Sequence, residues 1–170
     1  TGLGDLHTAI HDVLGQKPVR PSVLENQIED GFYPTFVGEA GQPMPMGRAI
    51  VRPFSEVRWG VETLARVGMD LTFGTVGQGE LLVRDPVTGQ RYRSVSEPFP
   101  GFSYVMGGDI AWVESSAFLP EDRGYDIEHT RTRLRAGLHW QGERNTTFYG
   151  LTYLSEEFEG QPSGQVIGSI

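Results

Sequence analysis

From Arg48 onward, apolar and polar side chains alternate along the chain with a period of two. Residues 61–73, 102–112 and 130–140 each place an apolar set on one side and a more polar set on the other. In residues 130–140 the apolar set is Leu134, Ala136, Leu138 and Trp140, and the opposite set is Arg131, Arg133, Arg135, Gly137 and His139. Alternation with this period predicts antiparallel strands with two chemically different sides.

Further strands are predicted at residues 48–58, 81–84, 91–95 and 146–154, and a last one begins at Gln165. The total is about seven, several of them close to the roughly nine to eleven residues that cross a bilayer at a tilt. Aromatic side chains lie near strand ends, at Trp59, Phe73, Phe102, Trp112, Trp140, Tyr149 and Tyr153. Two connections are short (Trp59-Gly60 and 141–145) and two are long and polar (115–129 and 155–163), an inequality that is typical of outer-membrane barrels.

These features predict an all-β fold, namely an antiparallel transmembrane β-barrel portion with one short N-terminal loop helix. The helix is expected at residues 4–14, where apolar residues recur every three or four positions before Gly15 and Pro18. Alternation alone is equally compatible with a soluble barrel or sandwich whose apolar side points inward. We divide the chain into a loop helix and active-site loop segment, residues 1–45, and C-terminal barrel strands, residues 46–170. We expect a piece of a longer protein, because the chain starts without Met and stops within a strand pattern.

Composition narrows the classes of function. The 170 residues include no cysteine, which excludes disulfide frameworks, thiol catalysis and thiolate zinc sites. Lys and Arg number 14 and Asp and Glu number 22, so the net charge is −8, which argues against a general nucleic-acid binder. No apolar stretch approaches the roughly 20 residues of a spanning helix, but membrane barrels do not need one because their strands alternate.

Two histidines are candidates for chemistry. His7 and His11 lie four residues apart on one face of the predicted helix, which is zincin spacing, but the glutamate that follows the first histidine of that motif is absent. A single imidazole acting as a general base is one interpretation, because its pKa near neutrality suits the activation of water. Two surface histidines on an amphipathic helix are the other interpretation.

A basic ladder occupies one side of the strand at residues 130–140. It consists of Arg131, Arg133, Arg135 and His139. If this side lines a barrel, its charges must be satisfied, so we expect pairing with acids such as Glu62 and Asp70. Phosphate binding is the second interpretation.

One segment, residues 148–169, reads FYGLTYLSEEFEGQPSGQVIGS. It closely resembles the C-terminal region of the LpxR-type lipid A 3′-O-deacylase family, which are outer-membrane β-barrel enzymes of Gram-negative bacteria. Residues 6–28 resemble the family's helix with a histidine, followed by a link containing proline and a Gly-Trp-Asp-Asn-Gln-Leu-like segment. His11 falls at the histidine position, and Asn26 and Gln27 match the later segment.

The resemblance implies hydrolysis of the ester at the 3′ position of lipid A, with lipopolysaccharide and the bacterial outer membrane as partners and no nucleic acid. It implies His11 as the catalytic base, Asn26 and Gln27 as substrate-binding residues, and a bound Ca2+ that stabilises the oxyanion. The family's main calcium ligands would precede Thr1. Glu25 or Asp12 could add oxygen ligands, and the ligands within this chain stay unassigned.

This chain also departs from the family pattern. Val23 and Leu24 replace the Gly-Trp pair, and Lys17 stands where some members have an acidic residue. These departures favour a rival interpretation, a catalytically inactive outer-membrane barrel with a structural or lipid-binding role. A soluble lipocalin-like binding barrel is the third interpretation.

Overall fold

A computed structural model describes residues 31–75, 81–95, 100–142 and 145–170 of the chain. The chain divides into two units, residues 1–34 and residues 35–170, and the fold given below is that of the second unit. The predicted helix at residues 4–14 with His7 and His11, and the candidate residues Asn26 and Gln27, lie outside the described residues. The predicted division of the chain after residue 45 stays a prediction.

The described residues form an all-β structure, which confirms the predicted fold class at that level. The strands are β1 (Phe36–Gly41), β2 (Met44–Met46), β3 (Ala49–Trp59), β4 (Glu62–Gly74), β5 (Leu81–Arg84), β6 (Arg91–Val95), β7 (Gly101–Ser116), β8 (Thr130–Gln141), β9 (Thr146–Leu154) and β10 (Gln165–Ser169). A single turn of 3-10 helix, Glu121–Arg123, lies between β7 and β8. In the part of the chain that the structure describes, no helix has the length and apolar character that crossing a membrane demands.

The strands form one antiparallel sheet and one separate hairpin. The order in the sheet is β1-β3-β4-β7-β8-β9-β10, with β2 pairing along the same edge of β3 as β1. The sheet is not closed, and β1 and β10 are its edges. The hairpin β5–β6 lies in the chain between β4 and β7, which are themselves paired. The sheet is therefore an up-and-down meander with one hairpin inserted into a connection.

The strand boundaries agree with the alternation except where the backbone is irregular. Strand β7 continues past the predicted end at Trp112 to Ser116, with a bulge that places Thr63 opposite Ser115 but Leu64 opposite Val113. Strands β1 and β2 are not among the strands that the alternation predicts. Both strands are short and exposed along their whole length, so no alternation between a buried and an exposed side marks them.

The distribution of short and long connections differs from the prediction. We name the ends of the sheet after Trp59 and Phe73. The turn at residues 60–61 lies at the Trp59 end with the long loops 117–129 and 155–164, whereas the turn at residues 142–145 lies at the Phe73 end. Three strands of the sheet, β4, β7 and β8, lie between the two short turns. Each strand carries the chain to the opposite end of the sheet, so the two turns lie at opposite ends. A short turn and two long loops therefore lie together at the Trp59 end, whereas outer-membrane barrels place short turns at one end and long loops at the other.

The apolar side chains of this sheet are exposed and many of its charged side chains are buried, which reverses the usual distribution. On β4, Val67 is 58% exposed whereas its neighbour Arg66 is 8% exposed. The exposed surface, which we call the apolar face, carries Val57, Trp59, Val67, Met69, Phe73, Phe102, Tyr104, Met106, Ile110, Trp112, Leu134, Trp140, Tyr149, Leu151 and Tyr153. The opposite surface is called the polar face.

A small apolar core lies at the Trp59 end of the polar face. Leu64, Ala111, Val113 and Ile127 are buried there, and Leu119 packs against them. Loop 117–129 covers this cluster and is joined to loop 155–164 by a bridge between Ile127 and Phe158. The two long loops therefore form one ordered cap at this end of the sheet.

Candidate functional site

The polar face is organised around two aspartates, and Asp109 on β7 is the first. Its carboxylate lies 3.1 Å from Arg66 Nε and accepts a hydrogen bond of 2.9 Å from Arg133 Nε. Arg135 Nη1 donates to its second oxygen. Asp109 is thus shared by three arginines from the two neighbouring strands, β4 and β8. A buried carboxylate with this many guanidinium partners is held ionised and fixed in position.

Asp70 on β4 is the second aspartate of the polar face. It accepts hydrogen bonds from Arg84 Nη2 at 3.1 Å, from Arg91 Nε at 2.8 Å and from Arg135 Nε at 2.9 Å. Arg135 therefore links the two aspartates, while Arg84 and Arg91 belong to the hairpin. Asp70 is buried, as is the side chain of each arginine that contacts it.

Further ion pairs extend the network toward the Trp59 end. Arg131 donates to Glu62 at 3.0 Å, and Arg58 pairs with Glu56 at 3.0 Å. The predicted pairing of the basic ladder with Glu62 and Asp70 is confirmed by the contacts of Arg131 and of Arg135. The central position of Asp109 was missed. Its place on the same side as the ladder was visible in the alternation, but its register opposite Arg133 was not.

The hairpin β5–β6 packs on the polar face. Its Arg84 guanidinium stacks on the Phe54 ring of β3, 3.5 Å from the ring centroid. Its turn is held from the other side by Arg133, whose Nη1 donates to the carbonyl oxygens of Pro86 and Val87 at 3.0 Å each. Gln90 is fully buried, and its side-chain amide lies 3.4 Å from both the Ala136 carbonyl oxygen and Thr152 Oγ1.

Glycines create the space in which the hairpin rests. Gly137 and Gly150 are paired across β8 and β9, and a Cβ on either would lie 2.6 Å from the Phe148 ring. The ring therefore occupies space that side chains at positions 137 and 150 would otherwise fill. Tyr92 of the hairpin meets it edge to face, with the ring centroids 5.2 Å apart. Because Gly137 and Gly150 have no side chains, the sheet has a recess at the place where the hairpin packs.

The hairpin turn is stabilised by one carboxylate. Asp85 Oδ1 accepts hydrogen bonds from Val87 N–H at 3.1 Å, from Thr88 N–H at 2.6 Å and from the Thr88 hydroxyl at 2.7 Å. Burial raises the pKa of the Asp85 carboxyl, but the hydrogen bonds from Thr88 and Val87 outweigh it, so the pKa lies below its ordinary value. Gly89 completes the turn with φ of +72°, a conformation that favours glycine.

A cavity of about 890 Å³ lies on the polar face toward the Trp59 end. The sheet contributes Leu64, Arg66 and Arg131 to its lining, the hairpin contributes Val83 and Val87, and Phe118 comes from loop 117–129. The walls are thus partly apolar, and the arginines in them are already paired with carboxylates. This volume is in the range of pockets that hold small molecules.

The carboxylates of Asp70 and Asp109 on the polar face are paired with arginines rather than grouped as cation ligands. Among residues 31–75, 81–95, 100–142 and 145–170, no group of three or more His, Asp or Glu side chains could hold a metal ion. The buried carboxylates of Asp70 and Asp109 are each bound by three arginines, whose charge opposes a cation. The donor set on the polar face therefore does not fit Ca2+.

The segment that resembles the deacylase family forms a strand, a loop and a strand. Residues 148–169 cover most of β9, the loop 155–164 and β10. Within the loop, Gln161 Oε1 accepts a hydrogen bond from Glu157 N–H at 2.9 Å, and Ser155 Oγ accepts one from Thr132 N–H at 2.9 Å. These side chains shape the loop and attach it to β8.

Comparison of the chain with protein-family models, with curated proteins and with solved structures finds no match.

Proposed function

We propose that the chain is part of the wall of an outer-membrane β-barrel, with the apolar face against lipid and the polar face toward the interior. The observation that carries this proposal is the reversal of the two faces, with Val67 exposed and Arg66 buried on adjacent positions of β4. A sheet in water would lose stability by exposing fifteen large apolar side chains. In a bilayer the same surface is in a favourable solvent.

The arrangement of aromatic side chains supports this proposal. Phe36 stacks on Trp59, and Trp112 stacks on His129, at one end of the apolar face. Phe102 and Trp140 pack together at the other end, with centroids 6.5 Å apart. From Phe102 to Trp112 the strand rises about 33 Å, which at a tilt of about 40° gives a height of about 25 Å. That height matches the apolar band of outer-membrane barrels.

We further propose that the barrel is an esterase that removes the 3′-linked acyl group from lipid A. The support is the resemblance of residues 148–169 and 6–28 to the deacylase family. His11 would take a proton from the attacking water, and Asn26 and Gln27 would bind the substrate. Ca2+, when bound, would polarise the ester carbonyl. Its ligands would have to come from residues other than those described.

A catalytically inactive barrel with a structural or lipid-binding role is the second candidate. The observation that favours it is the use of the charged side chains on the polar face. Asp70, Asp109 and their arginines are bound to one another and to the hairpin, which is a structural use of charge.

The position of the sheet in a membrane can be tested with its three tryptophans, Trp59, Trp112 and Trp140. All three are exposed and lie near the ends of the apolar face. In bilayers of brominated lipids, bromine near the headgroup should quench their fluorescence more strongly than bromine near the bilayer centre. Quenching no greater than that of a water-soluble protein would contradict the membrane location.

The activity is tested by mass spectrometry of lipid A incubated with the whole protein, refolded in detergent, in Ca2+ and then in EDTA. Loss of the 3′ acyl group only in Ca2+ is expected, and His11→Ala should abolish it. A His11→Ala protein that works at the wild-type rate would refute the base assignment. Lipid A that stays intact with a folded protein would favour the inactive barrel.

A further inference from the structure

We infer that the hairpin β5–β6 is a fixed plug that closes the barrel interior, so that the protein does not conduct ions or small solutes. A ligand would then reach the protein from its lipid-facing wall or from its rims, and not through its centre. This inference rests on the proposed barrel, and it goes beyond it, because a barrel wall with a polar interior is equally suited to a pore.

Charge pairing is the first reason to regard the hairpin as fixed. Arg84 contacts Glu39 on β1 at 2.7 Å and Asp70 on β4 at 3.1 Å, and Arg91 contacts the same two acids. The two arginines and two acids thus form a closed four-membered cluster between the hairpin and two strands of the sheet. Charge-assisted hydrogen bonds are stronger than neutral ones, and the two to Asp70 are additionally shielded from solvent, whereas Glu39 is exposed.

Shape complementarity is the second reason. Gln90 is fully buried and reaches the backbone of β8 at Ala136 and the side chain of Thr152 on β9. A Cβ at position 150 would lie 2.6 Å from the Phe148 ring and 2.9 Å from Gln90 Nε2, so the glycine leaves room for both side chains. A loop that only rested on the sheet would not need such a recess. The polar face is built to hold this hairpin.

The breadth of the contacts is the third reason. The hairpin contacts β1 through Glu39, β3 through Phe54, β4 through Asp70, and β8 and β9 through Gln90. It therefore crosses most of the sheet rather than lining one edge. Its arginines also pair with acidic side chains that a conducting pore would present to passing ions.

Electrical recording across a planar lipid bilayer tests the inference directly. The whole protein is compared with a variant in which residues 81–95 are replaced by a short linker of glycine and serine. We expect no steady conductance from the wild type and stepwise conductance from the variant. A wild type that conducts like the variant, or a folded variant that stays silent, would overturn the plug. Heat-modifiable migration on a gel reports folding separately, so a wild type that never folds as a barrel refutes the proposed function instead.

A second measurement does not depend on the deletion. The chain has no cysteine, so Thr152→Cys provides a single thiol at a position that is fully buried beneath the hairpin. Adding Arg84→Ala with Arg91→Ala should raise its labelling rate by about tenfold or more, because the hairpin then opens more often. Arg48→Ala removes an exposed arginine outside the network and serves as the matched control. Equal labelling rates in all backgrounds would overturn the inference.

Discussion

Asp70 on β4 and Arg135 on β8 are joined by a hydrogen bond of 2.9 Å although β7 lies between their strands. The bond passes over Gly107, which is opposite both residues in the strand register. A Cβ at position 107 would lie 2.7 Å from Arg135 Nε. The missing side chain therefore permits a buried ion pair across three strands.

Gly107→Ala should lower the free energy of unfolding by about 1–3 kcal/mol, because the added methyl group displaces Arg135 from Asp70. Urea unfolding in detergent micelles measures the change. Gly168→Ala is the matched control, since nothing lies within 4 Å of a Cβ there. Equal stability of the two variants would show that the polar face adjusts without cost.

Asp109→Asn should destabilise the protein by about 3–5 kcal/mol, because Arg66, Arg133 and Arg135 are then buried without their shared carboxylate. Arg133→Met should cost less, since Asp109 keeps two arginines. The fraction of the Arg133→Met protein that folds should bind lipid A with unchanged affinity. A selective loss of lipid A affinity in a stable Arg133→Met protein would instead support phosphate binding by the ladder.

Met106→Arg distinguishes a lipid-facing surface from one in water. Met106 lies near the middle of the stretch between Phe102 and Trp112 on the apolar face. In bilayers, arginine there should cost about 2–4 kcal/mol. On a water-exposed surface the same change would stay within about 0.5 kcal/mol. Reversible unfolding from lipid vesicles measures the difference, with exposed Glu121→Arg in the cap as the control.

Asp85→Asn tests the hairpin turn through its dependence on pH. The pKa of Asp85 is lowered in the folded protein, so its carboxylate adds stability that is present above the unfolded pKa of about 3.9 and is lost as the pH falls through the folded pKa. The wild type should therefore exceed Asp85→Asn in stability at neutral pH, and the gap should close in acid. Unfolding of both proteins from pH 7 to pH 2 measures it, and a gap independent of pH would contradict the assignment.

The strands could be predicted because their alternation is a local property. The bounds of β9 follow from period two alone, and β5 and β6 were found even though they are short. The placement of β5–β6 on the polar face could not be predicted, because it depends on absent side chains at Gly137 and Gly150, which are far away in the sequence. Alternation also does not say which face is buried, and the structure was needed to show that the apolar one is exposed.

The charged network was predictable only in part. Arg131, Arg133 and Arg135 stand out as a ladder in the sequence, and pairing with acids follows from burial. The partner of each arginine depends on register between strands, which sequence does not give. For this reason the sequence did not single out Asp109, although it lies at the centre of the charged network. The candidate residues His11, Asn26 and Gln27 rest on the resemblance and stay predictions.

The position of the hairpin between two paired strands also constrains how the chain folds. Pairing β4 with β7 closes a loop that spans residues 75–100, and such closure carries an entropic cost that grows with loop length. A hairpin that forms first shortens the free part of this loop. Once β1 and β10 acquire neighbours, the interior is no longer accessible to a hairpin of fifteen residues, residues 81–95, that carries five charged or amide side chains. The connectivity therefore favours one order of assembly. The hairpin packs on the sheet early, and the edge strands β1 and β10 pair with their neighbours last.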